Sequence, residues 1–299
     1  MAYHCVLFLF FILTIHEEMC CQSKLNELVQ NKLADEDDTL KILSWNIYML
    51  PPLIKFTGKL KRAKAIGEML AQTDYDLLVF QEGFHRRARR VLRKYLDHVY
   101  PYQIGPNGII PVSFSTNSGI WFFSRKPITQ VDHIVYEKKS GFDNRQARKG
   151  ATMITYNHKG KDIQIIGTHL NSGGKPKVRL SQVQQIQDEL IQPYQSKSTP
   201  IIIAGDFNID KFDTLTYNAM ISILKAEDGA LADNVIYTAD AAINQLNEYG
   251  QSCIDYQLYK SNGCKYRFIR RSCPVIKYEW STYYSDLSDH QPVALEIVF

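Results

Sequence analysis

Short apolar runs of strand length recur along this chain, and each one is followed closely by an acid, an amide or an imidazole. The runs LKILSW, LLVF, QIIGT and IIIAG begin at residues 40, 77, 164 and 201. Segments with apolar side chains at helical spacing lie between them, as in 60–71 and 178–190. Strands that alternate with helices in this way are typical of a layered α/β protein.

Some of the strand-like runs are continuously apolar and others alternate, which favours two packed sheets flanked by helices. The QIIGT strand is expected over 163–167, and further strands are expected at 119–123, 152–156, 254–259, 266–269 and 292–298, with further helices at 86–96 and 213–225. We expect residues 40–299 to form a single domain. The alternative is an open, doubly wound sheet, which is less favoured because no Gly-rich fingerprint follows the first strand.

The N-terminus has the pattern of a signal peptide. The apolar run 6–15 (VLFLFFILTI) has the length of a signal core and is too short to span a bilayer. We therefore predict a signal peptide over 1–21, a polar N-terminal segment over 22–39, and secretion to the extracellular space, with an uncleaved anchor as the alternative. An oxidising compartment also favours a disulfide among Cys253, Cys264 and Cys273.

The composition sets limits on the partners of the chain. It has 45% hydrophobic residues, enough for a full core, and a formal net charge of +4, too small to indicate nucleic acid or membrane by itself. The charge is uneven, because six cations crowd the stretch 86–94 (RRARRVLRK). Such a run is either a solvated helix face or a contact for anionic lipid or phosphate.

Polar groups fall at the ends of several predicted strands. They are Asn46, Glu82, His169, Asp206, Asn208, Asp255, Asp289 and His290. Strand ends on one side of a sheet share an edge, so these groups can converge on one cleft. Asp and Asn are common in turns, but this many coincidences make turn formation alone a poor explanation.

The residue types indicate metal-assisted hydrolysis of a phosphate ester. Carboxylate and amide oxygens such as those of Glu82 and Asn46 suit Mg²⁺. Two histidines can supply a proton acceptor and a hydrogen-bond donor, and Asp255 can orient one imidazole. The chain has no G-x-S-x-G elbow, no P-loop and no H-E-x-x-H motif.

Six motifs in order resemble those of the endonuclease/exonuclease/phosphatase superfamily. They are SWNIYMLP, VFQEGF, IIGTHLNS, AGDFNID, CIDYQL and SDHQPVAL, which span residues 44–295. The resemblance implies a deoxyribonuclease I-like fold, which is a four-layer α/β sandwich of two mixed or mostly antiparallel sheets, with one active site.

Within that superfamily the chain resembles the bacterial-type neutral sphingomyelinases in four segments. They are WNIYMLP, SGIWFFSRKPI, NRQARKGA and THLNSGG. The resemblance implies hydrolysis of sphingomyelin to ceramide and phosphocholine at a membrane surface, by a monomer without a stable nucleic-acid partner. It also implies Mg²⁺ as cofactor, with Mn²⁺ or Co²⁺ as substitutes.

The resemblance assigns roles to the strand-end residues. Glu82 is the main metal ligand, and the wider metal set is Asn46, Asp206, Asn208, Asp289 and His290. The catalytic set is His290, His169, Asp255, Asp206 and Asn208, in which Asp255 orients His290.

The same resemblance suggests a surface that faces substrate or membrane. Lys149 precedes a strand on the substrate side, and Trp280, Tyr283 and Tyr284 lie in the region of a membrane-contacting hairpin. Glu279 stands where a second adjacent aromatic is usual, so packing of these rings on the sheet is the alternative. The competing functions are a secreted nuclease of the same fold, a phosphoinositide phosphatase, and a catalytically inactive membrane-binding protein.

Overall fold

A computed structural model of the chain describes residues 38–51, 57–108, 116–141, 144, 146–229 and 236–299. The predicted signal peptide and all but the last two residues of the N-terminal segment lie outside them. Among the described residues, every helix is too short or too polar to span a bilayer.

The described residues form mixed secondary structure. The strands are β1 (Leu40–Asn46), β2 (Leu77–Gln81), β3 (Tyr102–Ile104), β4 (Trp121–Ser124), β5 (Ile128–Val135), β6 (Gly150–His158), β7 (Lys161–His169), β8 (Ile201–Asp206), β9 (Ala239–Asp240), β10 (Gln251–Ser252), β11 (Asp255–Lys260), β12 (Arg267–Ser272) and β13 (Val293–Val298). The helices are α1 (Lys59–Leu70), α2 (Arg86–Leu96), α3 (Pro176–Ile186) and α4 (Thr214–Leu224), and α3 continues through a π-helical turn at Gln187–Ile191 into a last turn at Gln192–Tyr194.

The strands form two large sheets and one small one. The first large sheet has the order β12-β13-β1-β2-β4-β3 and the second has the order β11-β8-β7-β6-β5, while β9 and β10 pair separately. In the first sheet β1 and β2 are parallel, and in the second β7 and β8 are parallel. Both sheets are therefore mixed, as the resemblance implies.

The core explains why the two sheets stack. Within β1, Ile42 faces β8 side chains such as Ile202, while Leu43 belongs to a separate cluster with residues of α1 and α2. The opposite face of β8, through Ile203, packs with residues of α3 and α4. Alternate residues of one strand thus contact different layers, as the period of two requires. The prediction of two packed sheets with helices on both outer faces is confirmed, and the open doubly wound sheet is wrong.

Most predicted elements are present within a few residues of their expected bounds. The strands that were not predicted all lack a clear apolar period in the sequence. The edge strand β5 was not predicted, because polar side chains such as Gln130 and Asp132 interrupt its apolar pattern. The short strands β3, β9 and β10 have too few residues to show a period.

The expected disulfide among Cys253, Cys264 and Cys273 is not formed, since no two of these residues are bonded to each other. Cys253 and Cys273 are each buried, where a thiol packs as a small apolar group.

One edge of the sandwich gathers the strand ends that carry polar groups. The parallel pairs β1/β2 and β7/β8 all end there, and their antiparallel neighbours β13 and β11 begin there. His169 and Asp255 are both level with Asp206 in the second sheet. The topology therefore brings residues that are more than two hundred positions apart to one edge.

Candidate active site

The first sheet contributes Asn46 and Glu82 to this edge. Asn46 ends β1 level with Gln81 of β2, and Glu82 follows directly. Glu82 has a φ of 58° and Tyr48 a φ of 52°. These left-handed conformations are unfavourable for side chains with a Cβ, and such strain concentrates at functional sites.

The second sheet contributes Asp206, His169 and Asn208. The Oδ2 atom of Asp206 accepts a hydrogen bond of 3.1 Å from the Nδ2 atom of Asn46, which joins the two sheets. The same Oδ2 atom lies 3.4 Å from the Nε2 atom of His169. The backbone N–H of Asn208 donates to Oδ1 of Asp206 at 2.9 Å. Asp206 is thus the central acceptor of the cleft.

His290 and Asp255 form a histidine–carboxylate pair beside Asp206. The Nδ1 atom of His290 lies 2.8 Å from Oδ2 of Asp255, and its Nε2 atom lies 3.9 Å from Oδ2 of Asp206. Burial lowers the pKa of His290, but the charges of Asp255, Asp206 and Asp289 outweigh it and raise that pKa well above its usual range. The predicted partnership of Asp255 with His290 is therefore present in the geometry.

Lys149 lies inside the cleft and not on an outer surface. Its ammonium group is 2.8 Å from Nε2 of His169 and donates to the carbonyl oxygen of Leu170 at 3.0 Å. The residue is only 5% exposed and lines the cleft, so of the two expected roles its position excludes contact with a membrane and is compatible with contact with substrate. Burial, followed by the charges of Lys149 and His290, lowers the pKa of His169 well below its usual range. His169 is consequently a neutral imidazole beside a cation.

The acids of the cleft carry raised pKa values. Burial, followed by the charge of Asp289, raises the pKa of Glu82 to about 7, although Lys149 and His290 oppose the shift. Burial and Asp255 raise the pKa of Asp206 to about 6. Perturbed carboxyl groups of this kind cluster at functional sites.

The donor set fits a divalent cation at Glu82. The Oε2 atom of Glu82 is buried and has no hydrogen-bond partner in the described part of the chain. A hard cation prefers such an oxygen, with the amide oxygens and acids nearby as further ligands. A second set, formed by Asp206, Asp255 and His290, has ligand atoms within 4.8 Å of one another. We favour the Glu82 set, because Oδ2 of Asp255 is already engaged by His290.

These groups line an open cleft with a volume of about 1130 Å³. The lining contains all the predicted strand-end residues except Asp255, which supports His290 from behind. It also contains Lys149, Arg179 and Tyr249, of which the strand-end argument identified none.

Arg62 is a supporting residue that sequence reasoning missed. It is fully buried in α1, and its guanidinium donates to the carbonyl oxygens of Ile47 (3.1 Å), Tyr48 (2.6 Å) and Leu287 (2.7 Å). It thereby connects the loop after Asn46 to the segment before Asp289. A signal was available, because Arg62 shares the buried stripe of α1 with Ile66 and Leu70 at a spacing of four.

The aromatic residues near the C-terminus divide into two groups. Trp280 is partly buried, donates from Nε1 to the carbonyl oxygen of Asp286 at 2.7 Å, and stacks on Tyr284 with ring centroids 5.5 Å apart. Tyr283 is 80% exposed and Tyr284 is 42% exposed. Packing on the protein is thus correct for Trp280, and the two tyrosines remain available to a surface.

Comparison with known proteins gives a consistent set of relatives. The model of the endonuclease/exonuclease/phosphatase family matches residues 43–290. The chain is 27% identical to sphingomyelinase C 2 of Leptospira interrogans over 89% of its length and spans about half (47%) of that relative. It is 27% identical to a phospholipase C of Staphylococcus aureus, with 87% of this chain and 88% of the relative covered. A crystal structure of S. aureus beta toxin with bound magnesium ions is similar at a TM-score of 0.74 and 25% identity, over 86% of this chain and 98% of that one.

Proposed function

Because the chain belongs to the endonuclease/exonuclease/phosphatase family, we propose that it is a Mg²⁺-dependent phosphodiesterase that hydrolyses sphingomyelin to ceramide and phosphocholine. The observation that carries the proposal is the cleft itself. It combines a histidine–carboxylate pair, a buried carboxylate oxygen without a hydrogen-bond partner among the described residues, and a buried ammonium group, in a chain similar to proteins named sphingomyelinase C and phospholipase C.

Glu82 is the proposed centre of the Mg²⁺ site, since its Oε2 atom lacks a partner in the described part of the chain. Asn46, Asp206, Asn208, Asp289 and His290 complete the set from which further ligands are drawn. When bound, Mg²⁺ supplies positive charge that offsets the negative charge of the phosphoryl oxygens.

His290 is the proposed general base. Its Nδ1 atom is held at 2.8 Å by Asp255, so its Nε2 atom faces the cleft. The surrounding carboxylates favour the protonated ring, and a cation bound at Glu82 would offset their charge and favour the neutral ring, whose Nε2 atom can take a proton from the attacking water. Asp255 then stabilises the imidazolium that forms. The water oxygen bonds to phosphorus, the bond from phosphorus to the ceramide oxygen breaks, and that oxygen leaves as the alcohol after it takes a proton from solvent water.

Lys149, His169 and Asn208 are the proposed groups that bind the phosphoryl oxygens. The ammonium of Lys149 carries positive charge inside the cleft, where few water molecules can screen it. The contact of Lys149 with His169 fixes the imidazole orientation. A second cation in this position lowers the charge that the metal alone has to offset.

Access to a lipid headgroup is proposed to occur beside an exposed aromatic ring of the cleft, with a second exposed ring outside the cleft lining. Tyr249 lines the cleft and is 83% exposed, and Tyr283 is 80% exposed. Aromatic rings favour the boundary between water and lipid. We further propose that the protein is secreted, on the basis of its N-terminal apolar run, and so meets sphingomyelin at an extracellular surface.

A nuclease of the same fold is the second candidate, and the basic helix α2 is the observation that favours it. A panel of substrates separates the two. The purified protein is incubated with sphingomyelin vesicles, plasmid DNA and phosphoinositide vesicles, each with Mg²⁺ or EDTA. We expect phosphocholine release only from sphingomyelin with Mg²⁺, whereas DNA cleavage without phosphocholine release would contradict the proposal.

A further inference from the structure

Five exposed cations lie on helix α2 and are here called the basic face. They are Arg86, Arg87, Arg90, Arg93 and Lys94. The opposite side of the helix, through Leu92 and Leu96, is buried against the first sheet. Among the described residues, the only carboxylate paired with the basic face is that of Asp97, which lies 3.1 Å from Arg93.

Helix stability does not explain this arrangement. Arg86 and Arg87 occupy the first turn, where the helix dipole disfavours cations, and no acid is present in that turn. Arg86 and Arg90 are four residues apart, as are Arg90 and Lys94, and like charges at that spacing repel. Arg89 differs from the rest, because its guanidinium donates to the carbonyl oxygens of Gly83 (2.7 Å) and Phe84 (2.8 Å) and so stabilises the loop after Glu82.

The basic face begins at the mouth of the cleft. Phe84 lines the cleft, and the backbone N–H of His85 donates to the carbonyl oxygen of Met49 at 2.9 Å, next to the lining residue Leu50. Lys59 of α1 extends the positive charge there, since its ammonium donates to the carbonyl oxygen of Pro51, another lining residue, at 3.2 Å.

The helix then leads away from the cleft. The chain enters α2 near Glu82, which follows the last residue of β2. After α2 it returns to the sheet at Tyr102, which pairs with Ser124 of β4. Ser124 also pairs with Leu77, the first residue of β2, so α2 runs from the end of β2 to its start. The N-terminal cations of α2 are therefore at the cleft edge and the C-terminal ones are at the far end. Arg86 and Arg87 precede Arg93 and Lys94 by two helical turns, or about 10 Å, on the same side of the helix.

We infer that the basic face binds anionic phospholipid in the membrane that presents the substrate, with its N-terminal end nearest the lipid. The inference depends on the proposed function in one respect, which is that the cleft mouth faces a lipid surface. A membrane at the mouth is close to Arg86 and Arg87 but about one Debye length further from Arg93 and Lys94 at ~0.1 M salt. A nucleic-acid strand along the helix would instead contact both ends alike.

The test compares two double variants that remove the same charge, R86Q/R87Q and R93Q/K94Q. Sedimentation measures binding of the full-length protein to phosphatidylcholine vesicles with and without phosphatidylserine, at low and high ionic strength and without sphingomyelin. We expect R86Q/R87Q to weaken binding to the anionic vesicles at ~0.1 M salt on the order of tenfold to thirtyfold, since each cation near such a surface contributes appreciably. We expect a loss of only about threefold for R93Q/K94Q, because of its distance.

Both variants should melt within a few degrees of the unmodified protein, because the replaced side chains are exposed. Equal losses in the two variants, or no loss in either, would overturn the inference. Loss of plasmid DNA binding with unchanged vesicle binding would overturn it in favour of a nucleic-acid contact. A protein that binds these vesicles but hydrolyses no sphingomyelin would leave the basic face intact and remove the proposed function instead.

Discussion

Replacement of Lys149 by methionine should separate the chemistry of the cleft from its stability. The change keeps an unbranched side chain that reaches as far as Cε and removes the ammonium group, with its contacts to Nε2 of His169 at 2.8 Å and to the carbonyl oxygen of Leu170 at 3.0 Å. That carbonyl keeps a second donor, because Nδ2 of Asn208 lies 3.3 Å away. The free energy of unfolding should therefore change by only about 1 kcal/mol, the usual net contribution of a hydrogen bond.

The effect of Lys149→Met on kcat should be much larger. Loss of one preorganised donor for a developing negative charge typically lowers kcat about 10²–10³-fold. Lys149 also lowers the pKa of both Glu82 and Asp206. Both pKa values should rise in the variant, and since ionised carboxylates are needed, the acid side of the pH–rate profile should move to higher pH.

The assay is phosphocholine release from detergent-mixed sphingomyelin at saturating Mg²⁺, measured across pH, with urea unfolding on the same samples. Lys139→Met is the matched control, because Lys139 also donates to a backbone carbonyl, that of Ala147 at 3.2 Å, but does not line the cleft. A kcat within a few-fold of the unmodified value for Lys149→Met would refute the role given to the ammonium group.

Three further predictions concern the remaining parts of the site. In EDTA, the raised pKa of Glu82 means that the folded state binds an extra proton between about pH 4.5 and 7, so the free energy of unfolding should fall as pH rises through that window. Glu82→Gln should flatten this pH dependence and abolish the Mg²⁺ binding measured by calorimetry. An unchanged slope in the variant would contradict the raised pKa of Glu82. Arg62→Met should lower the free energy of unfolding by about 3 kcal/mol, because it leaves buried carbonyl oxygens unsatisfied, whereas the exposed Lys64→Met should change it by less than about 0.5 kcal/mol; equal urea midpoints would refute this support role. His290→Ala should lower kcat about 10²–10⁴-fold and Asp255→Asn less, and the double variant should be little worse than His290→Ala; additive losses would show that the two residues do not act as a pair.

The strand-end residues could be predicted from the sequence because topology places them. Asn46, Glu82 and Asp206 each follow an apolar run, and such runs meet at a common edge in any stacked α/β sandwich. The expectation did not depend on exact pairing, since the carboxyl ends of parallel strands coincide whatever their order. This explains why the convergence was correct while details of the sheets were not.

The resemblance placed Lys149 on the substrate side, but its contact with His169 could not be predicted, because that contact depends on strand register. β6 pairs with β7 so that Ala151 is level with Thr168, which puts Lys149 beside Leu170 and His169. The sequence alone does not say which strand is the neighbour of β6. Without that pairing, a lysine before a strand is most simply interpreted as a surface residue.

Arg62 escaped prediction for a different reason. A charged residue on the apolar stripe of a helix is normally a boundary residue, and only the assembled loops show that its guanidinium meets the carbonyl oxygens of Ile47 and Leu287. Its partners are backbone atoms, which have no signature in the sequence. The stripe position therefore marks Arg62 as unusual, but its supporting role can be identified only once the loops have been assembled.

The most direct test of the proposed hydrolysis follows the oxygen of the attacking water. Sphingomyelin is hydrolysed in ¹⁸O-labelled water with Mg²⁺, and the products are examined by mass spectrometry, with the Glu82→Gln protein and EDTA as controls. Attack on phosphorus predicts equal amounts of ceramide and phosphocholine, with the label only in phosphocholine, and no product in either control. Label in ceramide, release of free choline, or undiminished turnover in EDTA would contradict the proposed function.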